Sequence, residues 1–73
     1  MMTTLMSTPE IVTVDELTER CDSCGAAAKL EVTLPTGTLA FCGHHANRNA
    51  GKLAPLATLA RVEKGFEWAG IAQ

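Results

Sequence analysis

Two short clusters carry residue types able to do chemistry together: Cys21-Asp22-Ser23-Cys24 and Cys42-Gly43-His44-His45. Two residues separate the ligand types within each pair, and seventeen separate Cys24 from Cys42. Zinc takes four ligands in a tetrahedron, and thiolates completed by one imidazole form a closed set around it. The spacing predicts one structural Zn2+ held by Cys21, Cys24, Cys42 and His45. His45 repeats the spacing of the first pair and, three residues after Cys42, shares a face of any helix that starts there. His44 is the alternative fourth ligand; otherwise it is a surface histidine or a support for the site. A closed shell argues against an enzyme, because a catalytic zinc keeps one position for water or substrate. A thioredoxin-type redox pair at Cys21 and Cys24 lacks its βαβ surroundings. The His44-His45-Ala46-Asn47 run faintly resembles HNH nucleases, but no later histidine completes such a site.

The elements that must position these residues can be read in outline. With 73 residues, the chain buries too little apolar surface for a core alone to stabilise it comfortably. A staple is expected, and three cysteines favour metal over disulfides, which would leave one thiol unpaired. Residues 1 to 12 read as a flexible N-terminal arm, and 13 to 73 as a single zinc-binding domain. Thr13 with Glu16 fits a capping box and predicts a short helical turn to about Arg20. Cys21 to Gly25 is a zinc knuckle, with Gly25 suited to a positive φ after the second ligand. Leu30, Val32 and Leu34 alternate with Lys29, Glu31 and Thr33, as in a half-buried strand. Leu34-Pro35-Thr36-Gly37 has the chemistry of a type I turn, and Thr38 to Phe41 returns, with Leu39 and Phe41 on one face. A helix from about Cys42 follows, which Gly51 and Pro55 prevent from running on. Pro55 and Gly65 bracket a second helix over 55 to 64; the alternative is a strand pair around Lys64-Gly65. The expected fold class is a small α+β zinc-stabilised domain: knuckle, β-hairpin, helix, then a short second helix or strand.

Knuckle, hairpin and a helix donating its first turn resemble the plan of treble-clef zinc fingers. The residues Cys-Asp-x-Cys-Gly-Ala-x-Ala at 21 to 28, Leu-Pro-x-Gly-x-Leu-x-Phe at 34 to 41 and Cys-Gly-His-His at 42 to 45 resemble an uncharacterised family of short actinobacterial and actinophage proteins. The resemblance implies a zinc-bearing protein of such an origin and brings no established activity. Residues 46 to 73 depart from the long charged helix associated with that family, because Gly51 and Pro55 interrupt it.

Charge narrows the function classes. The net charge is -2, with six basic residues, whereas polyanion binders carry a clear basic excess. Acids dominate up to Phe41 and bases outnumber them afterwards, which reads as ordinary solvated charge. The opening MMTTLMSTPE has no basic region followed by a long apolar stretch, and no run reaches a membrane span, so a cytoplasmic location is expected (the host cytoplasm if phage-encoded). The leading expectation is a protein-interaction adaptor with an unidentified protein partner, contacted through Phe66, Trp68 and Ile71, since aromatic anchors dominate interfaces. The competing reading for Trp68 is a cap on the core. Self-association through the same cluster is a further expectation. The second function class is a nucleic-acid-binding zinc finger using Arg48 and Lys52, an i, i+4 pair on one helix face.

Overall fold

The computed structural model describes residues 9–71. Strand β1 is Glu10–Val14, β2 is Leu30–Leu34 and β3 is Gly37–Phe41. Helix α1 is Gly43–Arg48 and α2 is Ala50–Leu56; strand β4 is Leu59–Glu63, and a 3-10 turn spans Ala69–Ile71. The four strands form one mixed sheet in the order β1-β4-β2-β3. β2 runs antiparallel to both β3 and β4, while β1 lies parallel to β4.

The hairpin forms where alternation and turn chemistry place it. Leu34 pairs with Gly37 across Pro35-Thr36, and Leu30 with Phe41. No non-glycine residue described has a positive φ, which excludes a type II or primed turn at Pro35-Thr36. Leu30 and Val32 are fully buried and share a sheet face with Ala60 and Val62 of β4 and with Phe41. Ala46, Ala50, Leu53, Ala54 and Ala57 pack over that face and close the core. Leu39 shares the face of Phe41, as its register requires, but lies exposed near the rim.

Several expectations about the elements are corrected. No helical turn forms between Thr13 and Arg20: Thr13 and Val14 finish β1, and the chain then runs without regular structure to Arg20. The capping-box pattern is outweighed by a parallel ladder with β4, which suits the β-branched Ile11, Val12, Thr13 and Val14. For the same reason Glu10, Ile11 and Val12 are strand rather than arm; residues 1–8 lie outside the described residues.

The second helix also sits earlier than 55 to 64. Helix α2 starts at Ala50 and holds Pro55 in its last turn, and β4 occupies Leu59–Glu63. Proline removes one helical N–H and crowds the preceding turn, so the helix stops one residue later, at Leu56. Ala60 and Val62 then alternate inward with half-buried Leu59, Arg61 and Glu63, the period of a strand. The break between the helices falls at Asn49, not at Gly51. The Asn49 side chain and its backbone N–H both bond the His45 carbonyl, at 2.8 and 3.0 Å, which ends α1. Gly65, at φ 91°, turns the chain after β4 instead of ending a helix. Among the described residues no helix is long and apolar enough to cross a membrane.

Candidate metal centre

The knuckle is a tight loop built from backbone hydrogen bonds. Cys21 N–H donates to Ala26 O at 2.7 Å and Gly25 N–H to Cys21 O at 2.8 Å, while Arg20 and Ala27 bridge across its base. Gly25 takes φ 81°, a left-handed conformation that costs a residue with Cβ. The second ligand pair comes from the end of β3 and the start of α1. Cys42 is the helix N-cap with extended backbone, and its carbonyl accepts the Ala46 N–H at 2.8 Å. His45 then stands one turn along and faces the cysteine.

Asp22 fixes the knuckle to the hairpin. Its N–H donates to Ala40 O at 2.8 Å and its Oδ2 accepts the Ala40 N–H at 2.7 Å. Ala40 lies two residues before Cys42, so this clamp sets the distance between the ligand pairs. Asp22 carried no role in the sequence reading. The available signal was a short acidic side chain inside a turn, a type that bonds nearby backbone.

The four ligand atoms of Cys21, Cys24, Cys42 and His45 all lie within 4.8 Å of one another. His45 Nδ1 is 3.5 Å from Cys21 Sγ and 3.3 Å from Cys42 Sγ, and Cys24 Sγ is 3.8 Å from Cys42 Sγ. A tetrahedron with metal–sulfur bonds of about 2.3 Å and metal–nitrogen bonds of about 2.0–2.1 Å has S–S edges near ~3.8 Å and S–N edges near ~3.5 Å. The donor set therefore fits a four-coordinate metal ion. Cys21 and Cys42 are buried, His45 is half-buried and Cys24 is exposed. His44 is exposed, with its ring edge-on to that of His45 at 5.1 Å between centroids. The structure thus brings His45, not His44, to the cysteines.

Electrostatics favour a bound cation. Burial pushes the Cys21 thiol up, but hydrogen bonds from the backbone at Cys42, Ser23 and Cys24 outweigh it and bring the thiol down to about 6. The Ser23 N–H is 3.4 Å from that sulfur. For Cys24, a backbone hydrogen bond at Ala26 favours the thiolate, yet desolvation and the neighbouring Cys21 and Cys42 sulfurs hold the thiol above its ordinary value. Sulfurs crowded this closely resist ionising together. A cation at their centre removes that repulsion.

The helix that carries His45 is braced from behind. Trp68 donates its Nε1–H to Ala46 O at 2.8 Å, and the Ala69 N–H donates to Asn47 Oδ1 at 2.7 Å. Asn47, part of the run that resembled a nuclease motif, is thus a brace for the C-terminal segment.

A model of a domain of unknown function, DUF7455, matches residues 15–67. The chain belongs to this family. The DUF7455 match begins before the knuckle and extends past Phe66, so it takes in both helices and β4 as well as the ligands. No curated protein and no solved structure matches the chain.

The residues expected to contact a partner are scattered. Trp68 is 2% exposed and belongs to the core, so it is corrected from a surface anchor to a core cap. Phe66 is half-buried and would lie 3.2 Å from a Cβ at Gly43, packed over the first turn of α1. Ile71 is 48% exposed. No joint aromatic patch results. Arg48 and Lys52 are both exposed, but they belong to different helices separated by Asn49, so they do not form the expected pair on one continuous helix.

Proposed function

We propose that the chain is a structural-zinc module acting as a protein-interaction adaptor or modulator. The observation that carries the reading is the convergence of three sulfurs and one imidazole nitrogen within 4.8 Å from two separate turns. Zinc is the ion this soft, tetrahedral donor set favours. Metal content of the full chain purified without chelator tests it. One equivalent of zinc is expected, with loss of fold on chelation; a folded, metal-free chain indifferent to chelator would sink the reading.

Four protein ligands leave no coordination position for water or substrate, so no catalytic role is assigned. What remains for such a module is recognition. Exposed large apolar side chains at Ile11, Val12, Leu39, Leu56 and Ile71 supply contact surface, and the net charge of -2 suits a protein partner better than a polyanion. The setting proposed is the cytoplasm, with a host protein as partner if the chain is phage-encoded. Capture from an actinobacterial lysate, with and without nuclease, checks the partner class. A protein retained after nuclease supports the adaptor; recovery that depends on nucleic acid supports a nucleic-acid-binding factor using exposed Arg48 and Lys52.

A further inference from the structure

The two edges of the sheet are treated differently. At the β3 edge, Ala40 directs both its N–H and its C=O outward, and Asp22 occupies both. At the β1 edge, Glu10 N–H donates to Thr58 O and Val14 O accepts the Lys64 N–H, so Glu10, Val12 and Val14 face β4 in the parallel ladder. Ile11 and Thr13 therefore direct their N–H and C=O groups to the open side. Among the described residues nothing bonds them there. Ile11 and Val12, on opposite faces of the strand, are each 37% exposed. An apolar edge that the described residues leave open is a template for another strand.

We propose that β1 is the docking edge for a second copy of this chain, pairing antiparallel about a two-fold axis at Val12. The outward groups of the strand are symmetric about that residue. Inverted on itself, the strand places Ile11 opposite Thr13 of the second copy and Thr13 opposite its Ile11. Each pair then exchanges N–H and C=O in the manner of a hydrogen-bonded antiparallel pair. Val12 meets Val12 of the second copy as the close, non-hydrogen-bonded pair on one face. Glu10, the strand's one charged residue, falls opposite Val14 of the second copy. A parallel pairing would instead bring the two Glu10 carboxylates side by side, which is unfavourable. Because Asp22 blocks the β3 edge at Ala40, head-to-tail growth is disfavoured and the pairing closes as a dimer with a continuous sheet. Two strands of this length make an interface smaller than the ~1,200 Å2 of a standard stable one, so the dimer is weak and forms only at high protein concentration.

Sedimentation equilibrium of the zinc-loaded full chain, from about 10 µM to about 1 mM, tests this. The wild type is expected to pass from monomer to dimer over that range. Thr13→Pro removes an outward N–H without taking a bond from the internal ladder, and Val12→Lys sets two like charges facing each other at the axis. Each is expected to raise the dissociation constant about tenfold or more, with circular dichroism and metal content unchanged. Should Thr13→Pro disturb the fold, Val12→Lys decides. A wild type that stays monomeric throughout, including one that dimerises only after residues 1–8 are removed, overturns the proposal. So does a dimer that Val12→Lys leaves intact, which would place the contact on another surface. Metal content is measured separately, so loss of the zinc reading and loss of the dimer are distinguishable.

Discussion

Asp22 and Ala40 exchange two hydrogen bonds, one through the Asp22 backbone N–H and one through its carboxylate, at 2.8 and 2.7 Å. Because Asp22 follows Cys21 and Ala40 precedes Cys42 by two residues, this single contact sets one ligand pair against the other. Groups that orient metal ligands this way change affinity by roughly 10–100-fold when removed. Asp22→Ala is therefore expected to weaken zinc binding by at least about tenfold in a competition titration with a chromophoric chelator. Asp22→Asn, which keeps an acceptor oxygen, should stay close to wild type. Equal losses in both variants would show that charge, not the hydrogen bond, matters.

The ligands themselves should behave as a unit. Replacing Cys21, Cys24 or Cys42 by Ser, or His45 by Ala, is expected to release the metal and unfold the chain, since in small metal domains binding energy is folding energy. His44→Ala should leave metal content at one equivalent, because His44 is exposed and lies outside the group of four ligand atoms. Elemental analysis of each purified variant reads the outcome, and loss of metal in His44→Ala would reassign the fourth ligand.

Trp68 reports on the fold rather than on a partner. Its burial and its bond to Ala46 O predict a blue-shifted emission that moves to the red when chelator is added. Trp68→Phe loses the hydrogen bond and should cost about 1 kcal/mol, whereas Trp68→Ala should cost about 3–5 kcal/mol. Chemical denaturation of the zinc-loaded variants measures both. Red-shifted emission in the folded wild type would return Trp68 to the surface.

Gly70 lies under the indole. A Cβ there would sit 2.5 Å from the Trp68 ring, closer than atoms tolerate, so Gly70→Ala must shift the tryptophan. A loss of roughly 1–3 kcal/mol is expected from such overpacking, with metal stoichiometry retained. Gly51, which has open space around its position, provides the control: Gly51→Ala, within α2, should be neutral or stabilising.

Acid should weaken the fold through Glu63 as well as through the ligands. The Lys29 ammonium, at 2.6 Å, and then the Leu17 N–H, at 3.1 Å, hold the Glu63 carboxyl below its ordinary value. A carboxyl lowered by folding contributes stability that is full above its unfolded value and is lost as pH falls through the folded one. Glu63→Gln removes that contribution. Its thermal midpoint should accordingly fall less steeply than the wild type's as the pH drops below about 5, and identical slopes would count against the pairing.

The ligand set, the knuckle and the hairpin were legible in the sequence because each depends on contacts within a few residues. Two closely spaced cysteines, a glycine at the right place and an alternating run beside Pro35 determine their own local geometry. His45 was legible for a related reason, since helical periodicity alone puts it over Cys42. The tertiary structure decided what depends on distant partners. β1 looked like an arm and a capping box, and became strand because β4, nearly fifty residues later by the register of Glu10 with Leu59, supplies its ladder. Residues 55 to 64 satisfied helix punctuation at both ends, yet a free side of β2 recruited Leu59–Glu63 into the sheet. Trp68 carried equal promise as anchor or cap, and only the fold provided the Ala46 carbonyl that draws its N–H inside. Local sequence sets backbone preferences of a fraction of a kcal/mol per residue, and burial of whole side chains overrides them.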